Sequence, residues 1–163
     1  MSKAFVKEIH EAQAYWMVEI LWIVLAEGKD TDNDFSIMWQ LCPERSGPPP
    51  HHHDQHEGFF VIDGSITYLA SNEMLKAGTG SFVWIPKGTV HSFRVDSNQA
   101  TLLNFYTPVG FEQTMVQLGT KAKAFTMPPK DFKDPQDIQK MMELFKKIGM
   151  HWVQEPDVLR QAI

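Results

Sequence analysis

Two alternating histidines, His51 and His53, stand four residues ahead of Glu57 in the stretch Gly47-Pro-Pro-Pro-His-His-His-Asp-Gln-His-Glu-Gly-Phe-Phe-Val-Ile-Asp-Gly64, and a further histidine, His91, follows Ile85-Pro-Lys-Gly-Thr-Val90. Together they offer one ion three imidazoles and one carboxylate. Along an extended strand, side chains alternate faces, so His51 and His53 project to one side with their Cα atoms about 6.5 to 7 Å apart, close enough for both rings to converge. Glu57 reaches the same point from the next segment. Imidazole nitrogen with carboxylate oxygen suits one divalent Fe, Mn, Co, Ni or Zn ion, and the lack of a nearby thiolate excludes a cysteine-rich zinc site or an iron–sulfur cluster. In open competition, Cu(II) or Zn(II) would bind most tightly, so the ion carried after purification need not be the working one.

The other histidines of the cluster read differently. The alternation that turns His51 and His53 inward sends His52 outward, to the surface or an interface. His56 sits at the corner between two strands, where a bulge could rotate it inward as a ligand or as a donor behind the ligands; it is the substitute if Glu57 is displaced. The run is internal and interrupted by Asp54 and Gln55, unlike a terminal affinity tag.

The elements that must position these residues are short strands. Phe35 to Leu41, Gly58 to Ile62, Ser65 to Ser71, Ser81 to Ile85, Val90 to Val95 and Thr101 to Tyr106 are apolar or alternating runs. Asp63-Gly64, Lys76-Ala-Gly-Thr-Gly80, Pro86-Lys-Gly88 and Asp96-Ser-Asn98 separate them as turns. That rhythm predicts a mainly β sandwich or jelly roll. The most apolar stretch, Ala14 to Ala26, is too short to span a bilayer, which takes about 20 residues, and Glu19 interrupts it. It reads as one buried strand ending at the turn Glu27-Gly-Lys-Asp30. Glu8 and Glu11 before it fit a secretory signal badly. Asp134-Pro135 and the apolar residues Ile138, Met141, Met142, Phe145 and Ile148 predict an amphipathic helix over 135–148. Gly110 to Leu118 is a shorter candidate, with Gly119 as its stop.

With 163 residues, 43% hydrophobic and 21% charged, the chain has the makeup of one globular domain. A net charge of −5, with no Lys/Arg cluster interleaved with aromatics, excludes the electrostatic footprint of a nucleic-acid or anionic-membrane binder. Small molecules are the expected partners. Cys42 is the only cysteine; it cannot form an internal disulfide, reads as a structural strand residue, and fits a reducing cytoplasm.

The metal-binding stretch reads H-x-H-x(3)-E-x(6)-G from His51 to Gly64, and Gly80 to His91 reads G-x(5)-P-x-G-x(2)-H. These two halves resemble the cupin signature. Gly47-Pro-Pro-Pro, Thr107-Pro-Val-Gly-Phe-Glu112 and Leu118-Gly-Thr resemble single-domain cupins related to quercetin 2,3-dioxygenase, over about residues 15 to 130. Two positions depart from the pattern. Val95 stands where the second half usually has Asn, and Gly47 precedes His51 by four positions, closer than usual. Neither removes a ligand.

The resemblance implies a double-stranded β-helix over about 15–108 with a helical extension over about 110–163, all one cupin domain. It also implies a homodimer, for which the apolar N-terminal stretch and the C-terminal helix are the expected contacts. By alternation, Phe59 and Val61 share the face of Glu57, and Phe93 and Val95 that of His91, so these should line an apolar pocket; Trp84, Phe105 and Tyr106 are further candidates. The resemblance implies a dioxygenase acting on a flavonol-like aromatic, with dioxygen as co-substrate and Glu57 as both ligand and general base. The same fold also serves isomerases, lyases and non-catalytic binding proteins; for the first two, His56 and Tyr106 are the candidate extra acid or base.

Overall fold

The computed structural model describes residues 2–133 and 138–153. The apolar run near its start folds back on itself. β1 (Gln13–Met17) and β2 (Ile20–Ala26) pair antiparallel with Met17 opposite Ile20, which corrects the single strand expected there. The turn consists of Val18 and Glu19, both at positive φ, 50° and 62°. Such two-residue hairpin turns are normally signalled by Asn or Gly, and neither is present, so the run looked continuous.

The remaining elements follow in order: β3 (Ser36–Pro43), β4 (His51–His52), β5 (His56–Asp63), β6 (Ser65–Ala70), β7 (Glu73–Gly78), β8 (Phe82–Ile85), β9 (His91–Val95), β10 (Gln99–Thr107), α1 (Phe111–Leu118), β11 (Thr120–Lys121), α2 (Ile138–Lys147) and β12 (His151–Trp152). They build two antiparallel sheets. One has seven strands in the order β11-β1-β2-β3-β10-β5-β8, the other five in the order β12-β4-β9-β6-β7. The sheets pack face to face around the main core, and alternation decides what meets in the middle. In β3, Ser36, Met38, Gln40 and Cys42 point inward while Ile37, Trp39 and Leu41 point out; in β5, Glu57, Phe59 and Val61 are buried.

The main core lies between the sheets, with Met38, Phe59, Ile66, Tyr68 and Leu102 fully enclosed. Cys42 is buried there, its thiol pushed up in pKa by burial, in line with a structural role. A second cluster, Trp16, Leu21 and Ile23 with Trp39 and Leu41, lies on the outer face of the large sheet. The segment after β11 covers it: Trp16 Nε1 donates to the Thr126 carbonyl (2.8 Å), and Phe132 sits edge-on to Trp16 at 5.6 Å. Trp16, Leu21 and Ile23 of the N-terminal stretch are therefore buried within the chain.

β7 was not foreseen because Ala77 is its only buried side chain, and a strand so exposed carries no alternation signal. The C-terminal helix forms over Ile138–Lys147. Its anticipated start at Asp134-Pro135 lies outside the described residues. Leu144 and Phe145 are buried within the chain while Met142 is exposed; burying one such side chain contributes roughly 1.5–3 kcal/mol. Among the described residues, no helix is long and apolar enough to cross a membrane.

Candidate metal centre

β4 and β9 are neighbours in the five-stranded sheet, with His51 directly opposite His91. His53 follows β4 immediately, and Glu57 enters from β5 in the other sheet. The four side chains are buried and offer ligand atoms that all lie within 4.8 Å of one another. The site therefore ties the two sheets together at one end of the barrel.

Each imidazole is fixed by a backbone carbonyl. His51 Nδ1 donates to Pro49 (2.9 Å), His53 Nδ1 to Gln55 (2.9 Å) and His91 Nδ1 to Thr89 (2.8 Å). A carbonyl can only accept, so Nδ1 carries the proton in each neutral ring and Nε2 points to the interior, where in His53 and His91 it donates to Glu57 when protonated, and it offers its lone pair to an ion when it is not. His53 Nε2 and His91 Nε2 lie 3.2 and 2.9 Å from Glu57 Oε2. Three inward lone pairs and a carboxylate are a donor set matched to one divalent transition ion.

The electrostatics follow from burial and this crowding. Burial first, then the positive charge His91 can carry, lowers the His51 pKa to about 4. Burial alone would raise Glu57, but hydrogen bonds from His53 and His91 outweigh it and hold the carboxyl below its usual range. For His91, burial works downward and is outweighed by the hydrogen bond and charge of Glu57, so its pKa is raised.

The other oxygen of Glu57 is held by residues the sequence reading missed. Asn104 Nδ2 donates to Glu57 Oε1 (2.9 Å) and to the Gly58 carbonyl (3.3 Å), and Gln40 Nε2 donates to Asn104 Oδ1 (2.9 Å). Asn104 is 0% and Gln40 1% exposed. A signal was present: in β3 and β10 each is a polar residue at an inward position between apolar ones, and such a residue must bond to something inside.

Residues 37–106, which contain all four candidate ligands, match the family model described as the cupin domain. The match covers the central part of the chain, less than half of it, and over that part the chain is similar to cupin domains. A stretch of 106 residues is 27% identical to quercetin 2,3-dioxygenase of Bacillus subtilis (strain 168), covering 64% of this chain and 32% of that protein. The chain thus spans about a third of the length of this relative. Among solved structures, KdgF from Halomonas sp. superposes with a TM-score of 0.60 at 13% identity, covering 69% of this chain and 99% of that one. The polyketide cyclase RemF from Streptomyces resistomycificus gives a TM-score of 0.56 at 17% identity, covering 90% and 99%. At these identities the likeness concerns the fold.

Above the cupin ligands lies a cavity of about 300 Å³, at the lower end of small-molecule sites, which run from about 300 to 1,000 Å³. His51, Glu57 and His91 reach its wall, as do Phe59 and Phe93, anticipated by alternation, and Tyr106, one of the further candidates. Val61 and Val95 share their parity but are buried in the core, away from the cavity wall.

Three anticipated residues face the other way. Trp84 is 43% exposed on the outer face of β8 and Phe105 packs on Phe35 outside β10 at 5.5 Å, because each has the parity opposite to its inward neighbours Ile85 and Tyr106. His56 lies outward by the same rule: it stacks on Trp84 at 5.3 Å and accepts the Lys87 N–H through Nδ1 (3.3 Å). No bulge turns it in, and it stands neither among the ligands nor behind them.

Gln40 and Gly47-Pro48-Pro49 add to the wall from within the match, and Met17, Val18, Ile20 and Trp22 from the β1–β2 hairpin. The C-terminal side was not foreseen: Phe111 of α1, Met141 and Phe145 of α2, Met150 between α2 and β12, and Trp152 of β12 close the cavity. Among the described residues, no Lys or Arg lines it.

Proposed function

We propose that this protein is a metal-dependent dioxygenase acting on a flat, uncharged, hydroxylated aromatic of the flavonol kind. The observation that carries this reading is the combination of a buried three-histidine, one-carboxylate cluster with an apolar, aromatic cavity to which the described residues contribute no Lys or Arg. A cavity without Lys or Arg gives an anionic substrate no counter-charge, and one with so few polar groups disfavours a sugar. The likeness to quercetin 2,3-dioxygenase supports the same substrate class.

In this reading His51, His53, Glu57 and His91 hold one Fe, Mn, Co, Ni or Zn ion, which would supply Lewis acidity to a chelating hydroxyl and, with dioxygen, the oxidising chemistry. The chain's own residues do the rest. Glu57 is ionised at neutral pH; with the His53 and His91 nitrogens turned to an ion, the hydrogen bonds that hold its pKa down would be gone, and the buried carboxylate would be the base that accepts the substrate hydroxyl proton. Asn104 occupies Oε1, leaving Oε2, which faces the cavity-side histidines, as the oxygen that takes it. Phe59, Phe93 and Tyr106 orient the flat substrate and exclude water.

A second reading, a metal-dependent isomerase or lyase, is favoured by Tyr106. Burial and then the Glu57 charge hold its hydroxyl well above the ordinary tyrosine pKa, so it remains a proton donor beside the base. Oxygen uptake separates the two. Metal-stripped protein, reloaded separately with Fe(II), Mn(II), Co(II), Ni(II) or Zn(II), should consume oxygen with quercetin, and His91→Ala should abolish it. Stoichiometric metal binding without uptake for any metal would refute the dioxygenase reading and favour the second, or a binding protein.

A homodimer belongs to the same proposal. The surface available for it is the outer face of β5 and β8, where Phe60, Ile62, Phe82 and Trp84 are exposed side by side. A monomeric mass by light scattering would refute it.

A further inference from the structure

The metal ligands come from the cupin match, but the roof over them comes from the C-terminal extension. Trp152 in β12 is paired directly with His51 in β4, so the two side chains share a sheet face, and their rings lie 5.4 Å apart. Phe145 meets Trp152 edge-on at 5.5 Å and 79°, and runs nearly parallel to Phe111 at 6.3 Å and 10°. Phe111 stacks on Tyr106 at 4.6 Å. One unbroken aromatic series therefore leads from a metal-binding histidine, across the cavity wall, to the tyrosine beside Glu57.

This roof is fastened to the loop that carries the ligands. Val153 N–H donates to the Pro50 carbonyl (3.0 Å), and Gln55 Nε2 donates to the Ile148 carbonyl (3.1 Å). Gly149, at φ +72°, brings the backbone so close to Asp54 that a Cβ would overlap its carboxylate. The extension is placed by the metal-site loop itself, and its rings are set at a fixed height above the ligands.

We propose that Trp152, supported by Phe145, determines substrate specificity by stacking on the flat face of an uncharged aromatic that chelates the metal with two oxygens. The inference rests on the metal-chelate reading above and adds to it: the cupin domain selects the chelating oxygens, and the extension selects the ring. An aliphatic chelator with the same two oxygens gains nothing from the roof. Packing of Trp152 and Phe145 merely as core would instead affect all ligands alike.

The test uses full-length protein loaded with Co(II) and titrated under nitrogen with quercetin and, separately, with acetohydroxamate, both followed through the Co(II) visible spectrum. Trp152→Leu should weaken quercetin about two- to tenfold, the range expected for loss of an aromatic contact, and acetohydroxamate less than twofold. The ligand-free Co(II) spectrum should not change. Phe145→Leu should shift the same ratio, Trp152→Phe should restore most of it, and Trp84→Leu on the outer face should leave it alone. Equal weakening of both chelators, or no change in either, would overturn the inference. Failure of the loaded unmutated protein to bind either chelator would refute the metal-chelate reading and the inference with it.

Discussion

Replacing Asn104 with Leu keeps a side chain of similar reach while removing every polar contact it makes. Glu57 Oε1 loses the 2.9 Å bond from Asn104 Nδ2, and Gln40 Nε2 loses its acceptor. A hydrogen bond to a buried charge contributes about 1.5–3 kcal/mol, and a stranded buried donor costs about 1–3 kcal/mol, so the variant should lose about 2.5–6 kcal/mol. For a chain of this length each kcal/mol moves Tm by about 2–4 °C, giving a fall of about 5–24 °C.

Glu57 would also become free to rotate away from the imidazoles. Loss of a group that orients a ligand typically weakens metal affinity about 10- to 100-fold. Calorimetric unfolding of metal-free protein and Zn(II) titration read the two effects separately. A double-mutant cycle with Glu57→Gln isolates the contact: the pair should couple by about 1 kcal/mol or more, against the few tenths expected of independent sites. Additive losses together with an unchanged Zn(II) affinity would refute the idea that Asn104 acts through Glu57.

Metal binding should weaken in acid in a defined order. His91, its pKa raised by Glu57 against the effect of burial, carries a proton on more than half the molecules at pH 6.5, and a metal must displace it. The dissociation constant should therefore rise about tenfold per pH unit as pH falls from 6.5 to 5.5. His51 should add its own proton only near its pKa of about 4; a metal affinity independent of pH between 6.5 and 5.5 would contradict this account. His56→Ala should leave metal affinity within about twofold, since the ring faces outward onto Trp84; a tenfold loss by calorimetric titration would contradict that placement. Val18→Asn with Glu19→Gly, which suit the positive φ of this hairpin, should raise stability by about 1–2 kcal/mol in urea unfolding, because left-handed backbone costs other residues roughly that much. Unchanged or lower stability would show that the turn carries no such strain.

The legible part of this molecule is the part where alternation and spacing speak directly. His51, His53, Glu57 and His91 come together because a strand's two-residue period and the β4–β9 pairing leave their side chains little choice. Phe59, Phe93 and Tyr106 at the cavity follow from the same period. Trp84 and Phe105 were misread by composition, because an aromatic residue next to a site attracts attention while its parity points it outward. Applying parity strictly would have excluded both and would have singled out Gln40 and Asn104, polar residues at inward positions.

The roof was illegible for a different reason. β12 has two residues, His151 and Trp152, and owes its existence to pairing with β4, a long-range contact with no local signature. The C-terminal helix was visible from its apolar spacing, but nothing in that spacing says which surface it covers. The turn at Val18-Glu19 shows the converse: the hairpin register imposes positive φ on residues whose types argue against it.

Metal stoichiometry with ligand-by-ligand substitution tests the centre of this picture most directly. Metal-stripped protein titrated with Zn(II) should bind one ion per chain, and His51→Ala, His53→Ala, Glu57→Ala and His91→Ala should each weaken that binding by at least tenfold while His52→Ala does not. Binding of no ion, or a tight ion indifferent to these four substitutions, would contradict a single metal centre built from them.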